Sequence, residues 1–431
     1  MAADKRRRES AKGAARTIGE QLVMDGAILS NELSVLSPSA QVMRGDVRAN
    51  RYKFKVPKCF DLFSAPEAVL QSIAKFRAAA LNSKVATIEI SHRKVQTSSL
   101  ASEVLLGVLA REIRNTRQAL RFTGVFPVGR ARAAKKRLIH TGLLKHLIDP
   151  DDTDAKENSH GNDVHVYRAE NRFGQASSST SDDKKTEVAR DCVEHLEGCL
   201  NQHELSLTGD AKKRLRACVG EILDNASEHC GRTSEVWNVH SYLDDSYKRD
   251  RFFELCVFNI GRTIAESFEA LGDDSETKKE AFSYVQRHIH HDDLSQESLL
   301  TVKALQGSVS SKRDEDITRG QGTVTLIETF EAIYQAYCAL RVENHDDAPM
   351  AQMNLISGTA AISFDSTYPS KTVEHEGGGE SFVVSFNGSN SLKDKPDSYY
   401  VRTMGAVKFP GVMINIRIPL QGSTSPLSHE D

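Results

Sequence analysis

The feature that most constrains this chain is a gap in its apolar pattern. Around residues 149–186 it reads DPDDTDAKENSHGND and, further on, GQASSSTSDDKKTE, with almost no large apolar side chain. Such composition cannot bury enough surface to offset the entropy of ordering it. Periodic apolar sequence resumes on both sides, and 431 residues are long for one core, so two domains are expected. The division read from the pattern is a basic tail at 1–50, an α/β domain at 51–149, a polar linker at 150–186, a second domain at 187–421 and a flexible tail at 422–431. VHVYRAENRF, between the two polar tracts, reads as a short strand or docking segment.

Bulk properties narrow the function classes. A formal charge of −3 supplies no global field for gripping nucleic acid, although local basic clusters remain. The seven cysteines are scattered and form no CxxC pair, so neither a zinc knuckle nor a disulfide framework is indicated, and a reducing cytoplasm is the expected compartment. No apolar run reaches the roughly 18–20 residues that cross a bilayer, so no membrane partner is expected. The start, MAADKRRRESAKGAARTIG, has basic residues but no apolar stretch and is not read as a secretory signal. It reads as a disordered, solvated tail, with phosphate contact or a nuclear address as the alternatives. GRARAAKKR, 129–137, is the densest basic cluster elsewhere. A solvated helix face is its default reading; nucleic acid or the acidic linker are the alternatives.

In the first domain, KVATIEI (84–90) has the alternation of a buried strand. The following SSLASEVLLGVLAREIRNT carries apolar residues at helical spacing, with Ser98 or Ser99 as N-cap. Another helix is expected over ARAAKKRLIHTGLLKHL, interrupted at Gly142, and an earlier one over PEAVLQSIAKFRAAAL. In the second domain, helices are expected at 187–205 and 210–229. EVWNVHSYL and RFFELCVFNI then form a hairpin around DDSYKRD. Residues 265–318 are polar and helix-rich, KTVEHEGGGES reads as a flexible loop, and MNLISG, AAISFD, SFVVSF and VMINIRIPL read as strands.

Three short motifs in the second domain carry chemistry. In EILDNASEHCG (221–231), Glu221 and Asn225 lie one helical turn apart on one face. The amide oxygen suits Mg²⁺ and the carboxylate could orient an attacking water, while a solvated helix face explains the same pair blandly. In CVFNIGRTIAESF, a strand delivers Asn259 to a turn at Gly261, and Asn259 could recognise an amide-like edge such as that of adenine. In TRGQGTVTLIETF, Gly320 and Gly322 open a helix whose free N–H groups suit phosphate, with Lys312, Arg313 and Arg319 close before it.

Taken in order, ExxxN on a helix, NxG after a strand, a long polar segment, GxG before a helix and the closing strand FPGVMINIRIPL resemble the GHKL ATPase family. The resemblance covers about 187–421. It implies a Bergerat-type two-layer α/β sandwich with a mixed, mainly antiparallel sheet, binding ATP and Mg²⁺. By position it implies that Asn225 holds the metal and Glu221 acts as general base. Asn259, Gly261 and Thr263 would bind adenine, and Arg319, Gly320, Gln321, Gly322 and Thr323 the phosphates. The segment 265–318 would be a lid over the nucleotide. The family's adenine-reading Asp is Asn259 here, and its second glycine is Thr263, whose hydroxyl suits a helix cap.

Residues 51–149 resemble a STAS-like α/β domain, in which a hydroxyl at the position of Thr97, Ser98 or Ser99 is phosphorylated by a GHKL serine kinase. The acidic residue usual before it is absent, and a capping cluster accounts for the same residues. The expected function is therefore a GHKL-type ATPase whose nucleotide state controls a protein partner or effector, as in bacterial signalling or anti-phage defence. A protein serine kinase and a non-hydrolysing nucleotide sensor are the alternatives. A homodimer, and nucleic acid bound through the basic clusters, are left open as partners. HIHHDD (288–293) is not read as a metal site, because its histidines share no helix face.

Overall fold

The computed structural model describes residues 47–48, 50–127, 132–148, 164–171, 181–202, 204–228, 237–244, 252–306, 322–343, 351–374, 380–420 and 424–426. It is an α/β protein built on two principal sheets. The first has the order β1 (Val47–Arg48), β2 (Arg51–Lys55), β4 (Thr87–Ser91), β6 (Arg121–Val125); β1 is antiparallel to β2, and the other pairings are parallel. Parallel neighbours need crossovers. These are α1 (Pro66–Leu81) between β2 and β4, and α2 (Leu100–Thr116) between β4 and β6. A short pair, β3 (Cys59–Phe60) with β5 (Thr97–Ser98), sits beside them. The expected interruption at Gly142 is present: α3 (Arg132–His140) ends there and α4 (Leu143–Ile148) begins.

Ser99 is the N-cap of α2. Its hydroxyl accepts from the amides of Ser102 and, across the loop, Leu62 at 3.1 Å, while Ser98 and Ser99 are both buried. The capping reading is thus what the structure contains. Ser99→Ala is expected to cost about 1 kcal/mol of unfolding free energy, measured by urea denaturation.

The second sheet has seven strands in the order β15 (Val401–Thr403), β12 (Ala360–Phe364), β11 (Gln352–Gly358), β16 (Phe409–Pro419), β10 (Phe252–Ile260), β9 (Trp237–Asp244), β7 (Val164–Asn171). Each of its pairings is antiparallel, which corrects the expectation of a mixed sheet. Helices α5 (Ser181–Asn201), α6 (Gly209–Glu228) and α10 (Gly322–Glu343) cover one face, burying Leu196, Leu223, Ile327 and Phe330 against Val239, Leu255 and Val257.

The opposite face is covered as well. Cys256, Phe258, Met413 and Phe409 share a core with α2 of the first unit, which packs directly on β9 and β10. The two-layer sandwich expected for this region is therefore the middle and one outer layer of a thicker stack. Double coverage explains why β10 is buried from its second residue to its last, and why α2 is buried on nearly every side.

Two buried carboxylates of the second unit tie the layers together, each between one arginine from each unit. Glu170 on β7 takes a bidentate contact from Arg111 of α2, at 2.9 and 3.3 Å, and a third from Arg168 at 3.1 Å. Glu254 on β10 lies between Arg137 of α3 and Arg417 of β16, and accepts from the first amide of α2, Leu100 N–H, at 2.9 Å. Lys136 pairs with Asp244 at 3.3 Å. Part of the basic cluster 129–137 thus serves the contact between units, a use not among the alternatives weighed for it.

Four further segment expectations change. Strand β7 lies inside the supposed linker 150–186 and is the edge strand of the second sheet, so the second domain reaches back to at least Val164. The supposed lid 265–318 holds three packed helices, α7 (Ile264–Glu269), α8 (Glu276–His288) and α9 (Gln296–Ala304), which bury Phe268, Tyr284, Val285, Leu299 and Leu300 in the main core; 307–321 lie outside the described residues. KTVEHEGGGES contributes a hairpin, β13 (Lys371–Glu374) with β14 (Glu380–Val383), and the tail contributes β17 (Thr424–Pro426), paired with β8 (Leu205–Leu207). Among the described residues no helix is long and apolar enough to cross a membrane.

Candidate functional site

Helix α6 lies on β10, and α10 runs against α6 and over β16, so α6 joins the other two motif-bearing elements on one face of the sheet. The burial of Leu215, Cys218, Val219, Ile222 and Leu223 fixes the rotation of α6. Glu221 is left half-buried at the margin of that face, near enough to Cys218 for its charge to add to burial in raising the thiol's pKa. Asn225 follows one turn later; its backbone is helical, and its side chain lies outside the described residues. Asp224, between them, pairs with Lys185 of α5 at 3.1 Å; His229 lies outside the described residues.

Asn259, Gly261 and Thr263 form one compact corner where β10 leaves the sheet. Asn259 alternates with Phe258 and Ile260, which face the first unit, and so shares the helix-covered face with Val257. Its Oδ1 accepts from Val412 N–H of β16 at 3.1 Å. Its Nδ2 is buried and has no hydrogen-bond partner among the described residues. Gly261 N–H donates to Pro410 O at 3.1 Å, closing the turn. Thr263 caps α7: its hydroxyl accepts from Glu266 N–H while the Glu266 carboxylate accepts from Thr263 N–H. Burial alone would raise the Glu266 pKa, but the Thr263 amide and Lys408 hold it below its ordinary value. Thr263 is thus a cap, committed to the chain itself.

Sequence reasoning missed two residues that hold this corner. Gly411, with φ of 141°, brings β16 so close that a Cβ would sit 2.1 Å from the Asn259 carbonyl oxygen. The Ser357 hydroxyl of β11 accepts from Ile264 N–H at 2.9 Å and donates to Gly411 O at 3.1 Å, joining three elements. Gly411 was visible as the PG of FPGVMINIRIPL, but its role depends on a register with Asn259 that no local pattern reveals.

Gly322 and Thr323 open α10, and their side-chain positions lie outside the described residues; Arg319, Gly320 and Gln321 lie outside them entirely. Among the described residues there is no group of three or more His, Cys, Asp or Glu that could hold a metal ion. His288 is occupied by the fold: its Nε2–H donates to Leu392 O at 3.1 Å. Mg²⁺ is commonly held by one or two protein oxygens plus substrate phosphates and water, so the donor type at Asn225 fits such a role. The fit of a base rests on the place of Asn259 in the motif; its Nδ2 is one of several buried side-chain polar atoms without a hydrogen-bond partner among the described residues. Comparison with family models, with curated proteins and with solved structures finds no match in any of the three.

Proposed function

We propose that this chain is a Mg²⁺-dependent nucleotide-binding switch of GHKL type, with ATP as the nucleotide and hydrolysis as its reaction. The observation that carries the reading is the buried Nδ2 of Asn259, without a partner among the described residues, at the corner where the resemblance puts the base. Two further facts support it. The antiparallel hairpin β9–β10 continues into β16 and β11 beneath α6, and the helices bearing ExxxN and GxG pack on each other.

In this reading Glu221 polarises the attacking water and takes its proton. Asn225 offers its amide oxygen to the metal, which when bound neutralises phosphate charge. Gly320 and Gly322, with Arg319, Gln321 and Thr323, receive the phosphates at the head of α10. The first unit, STAS-like in this proposal, sits on the reverse face of the same sheet, so a change in β10 reaches it through Glu254. A reducing cytoplasm and a protein effector complete the proposal.

Steady ATP turnover by the full chain is expected, falling at least about 100-fold in Glu221→Ala while nucleotide binding persists. Binding without turnover in the wild type would favour the sensor alternative instead. A kinase acting on this chain as folded would reach only Thr97 at the head of α2, because Ser98 and Ser99 are buried. Mass spectrometry after incubation with ATP separates that outcome from hydrolysis.

A further inference from the structure

The Asn259 amide has no freedom over which end it offers. Val412, opposite it in the β10–β16 ladder, donates its N–H to Oδ1 at 3.1 Å, and only the oxygen end can accept. That contact fixes the amide orientation, which geometry of the side chain alone would leave open. Nδ2 is then the end directed away from Val412, fully buried and without a partner among the described residues. Gly261 lies two residues on, and Gly411 holds the opposite strand against the Asn259 carbonyl. The corner therefore holds a buried hydrogen-bond donor with no acceptor among the described residues.

We infer that Asn259 reads the six-position edge of a purine through an acceptor on the base, so that the site takes 6-oxopurine nucleoside triphosphates at least as tightly as ATP. The inference rests on the nucleotide-binding reading above and narrows its ligand. Adenine carries an amino group at position six, which donates; facing Nδ2, it sets donor against donor. Hypoxanthine and guanine carry a carbonyl oxygen there, which accepts. A site built to hydrogen-bond one edge discriminates against the base that cannot answer it. An aspartate at 259 would reverse the preference, because a carboxylate can accept from Val412 N–H and from an amino group together.

Competition between ATP and inosine triphosphate for the full chain with Mg²⁺ tests this, since the two share ribose and triphosphate and differ only at the read edge. The wild type is expected to bind inosine triphosphate with a Kd equal to or below that for ATP. In Asn259→Asp the ratio is expected to move toward ATP by about tenfold. A wild type that prefers ATP by tenfold or more overturns the inference, as does a folded Asn259→Asp variant that keeps the wild-type ratio. If that variant does not fold, the wild-type ratio alone decides. If the folded wild type binds neither nucleotide, the nucleotide-binding reading itself falls, and the inference with it.

Discussion

Alanine at Gly411 is expected to destabilise the protein by about 3 kcal/mol or more, among the largest effects available to a single methyl group. Two costs add. Its φ of 141° lies where side-chain-bearing residues are strained. The new Cβ would also fall 2.1 Å from Asn259 O, 3.0 Å from Asn259 C and 3.2 Å from Gly261 N, all backbone atoms that no rotamer change can move aside. Relief requires β16 to pull away from β10, which breaks the Val412–Asn259 contact and the turn at Gly261. Gly388 is the natural control, since a Cβ there meets nothing within 4 Å. Gly388→Ala is expected to stay within about 0.5 kcal/mol of wild type. Urea denaturation of both variants checks the pair, and equal midpoints would show that the close approach of β16 to Asn259 is misplaced.

Glu254→Ala is the second large effect, expected at about 3–5 kcal/mol. The carboxylate is buried between Arg137 and Arg417 and also accepts from Leu100 N–H. Its removal leaves Arg137 and Arg417 with Asp61, 3.8 Å from Arg417, as the nearby carboxylate, and takes the acceptor from Leu100 N–H at the head of α2. Glu254→Gln keeps an acceptor for Leu100 and should recover part of the loss.

The same pocket sets an acid limit. Burial alone would push the Glu254 pKa up, but Arg137, Arg417 and the Leu100 amide outweigh it and pull it down to about 2. A folded-state pKa below the unfolded value stabilises the fold above the unfolded pKa, and this contribution fades as pH falls through the folded one. The stability due to Glu254 is thus complete above the ordinary glutamate range and lost between roughly pH 4.5 and 2. The difference between wild type and Glu254→Gln should shrink over that window in pH-dependent urea titrations.

What the sequence disclosed follows from how local each cause is. Strand β4, helix α2 and its Ser cap, and the β9–β10 hairpin rest on near-neighbour periodicity and capping, and were readable. Thr263 could be anticipated as a cap because its partner Glu266 is three residues away. Glu254 reads only as one charge in an apolar strand, since its partner Arg137 lies 117 residues earlier in the chain. Strand β7 was readable as a short strand or docking segment, but not as the edge of the second sheet: its partner β9 is distant, and its charged Arg168 and Glu170 answer each other and Arg111 only after folding. Helix in 265–318 was readable, but not its packing: Ala281, Tyr284, Val285 and His288 recur at helical spacing and are all buried, and the overall polarity of the segment was weighed above that period. At the candidate site, the residue types of Asn259 and Gly261 were legible, but not which end of the amide stays unpaired. That depends on Val412, brought opposite by a strand 153 residues away.

The central claim is that the corner at Asn259, beside α6 and α10, binds a nucleotide with Mg²⁺. Calorimetric titration of the full chain with ATP, with and without Mg²⁺, for wild type and Asn225→Ala, tests it most directly. Saturable binding that Mg²⁺ tightens about tenfold or more in the wild type, and not in Asn225→Ala, is the predicted result. A folded wild type with no saturable heat in either condition, or one whose binding ignores both Mg²⁺ and the loss of Asn225, would contradict it.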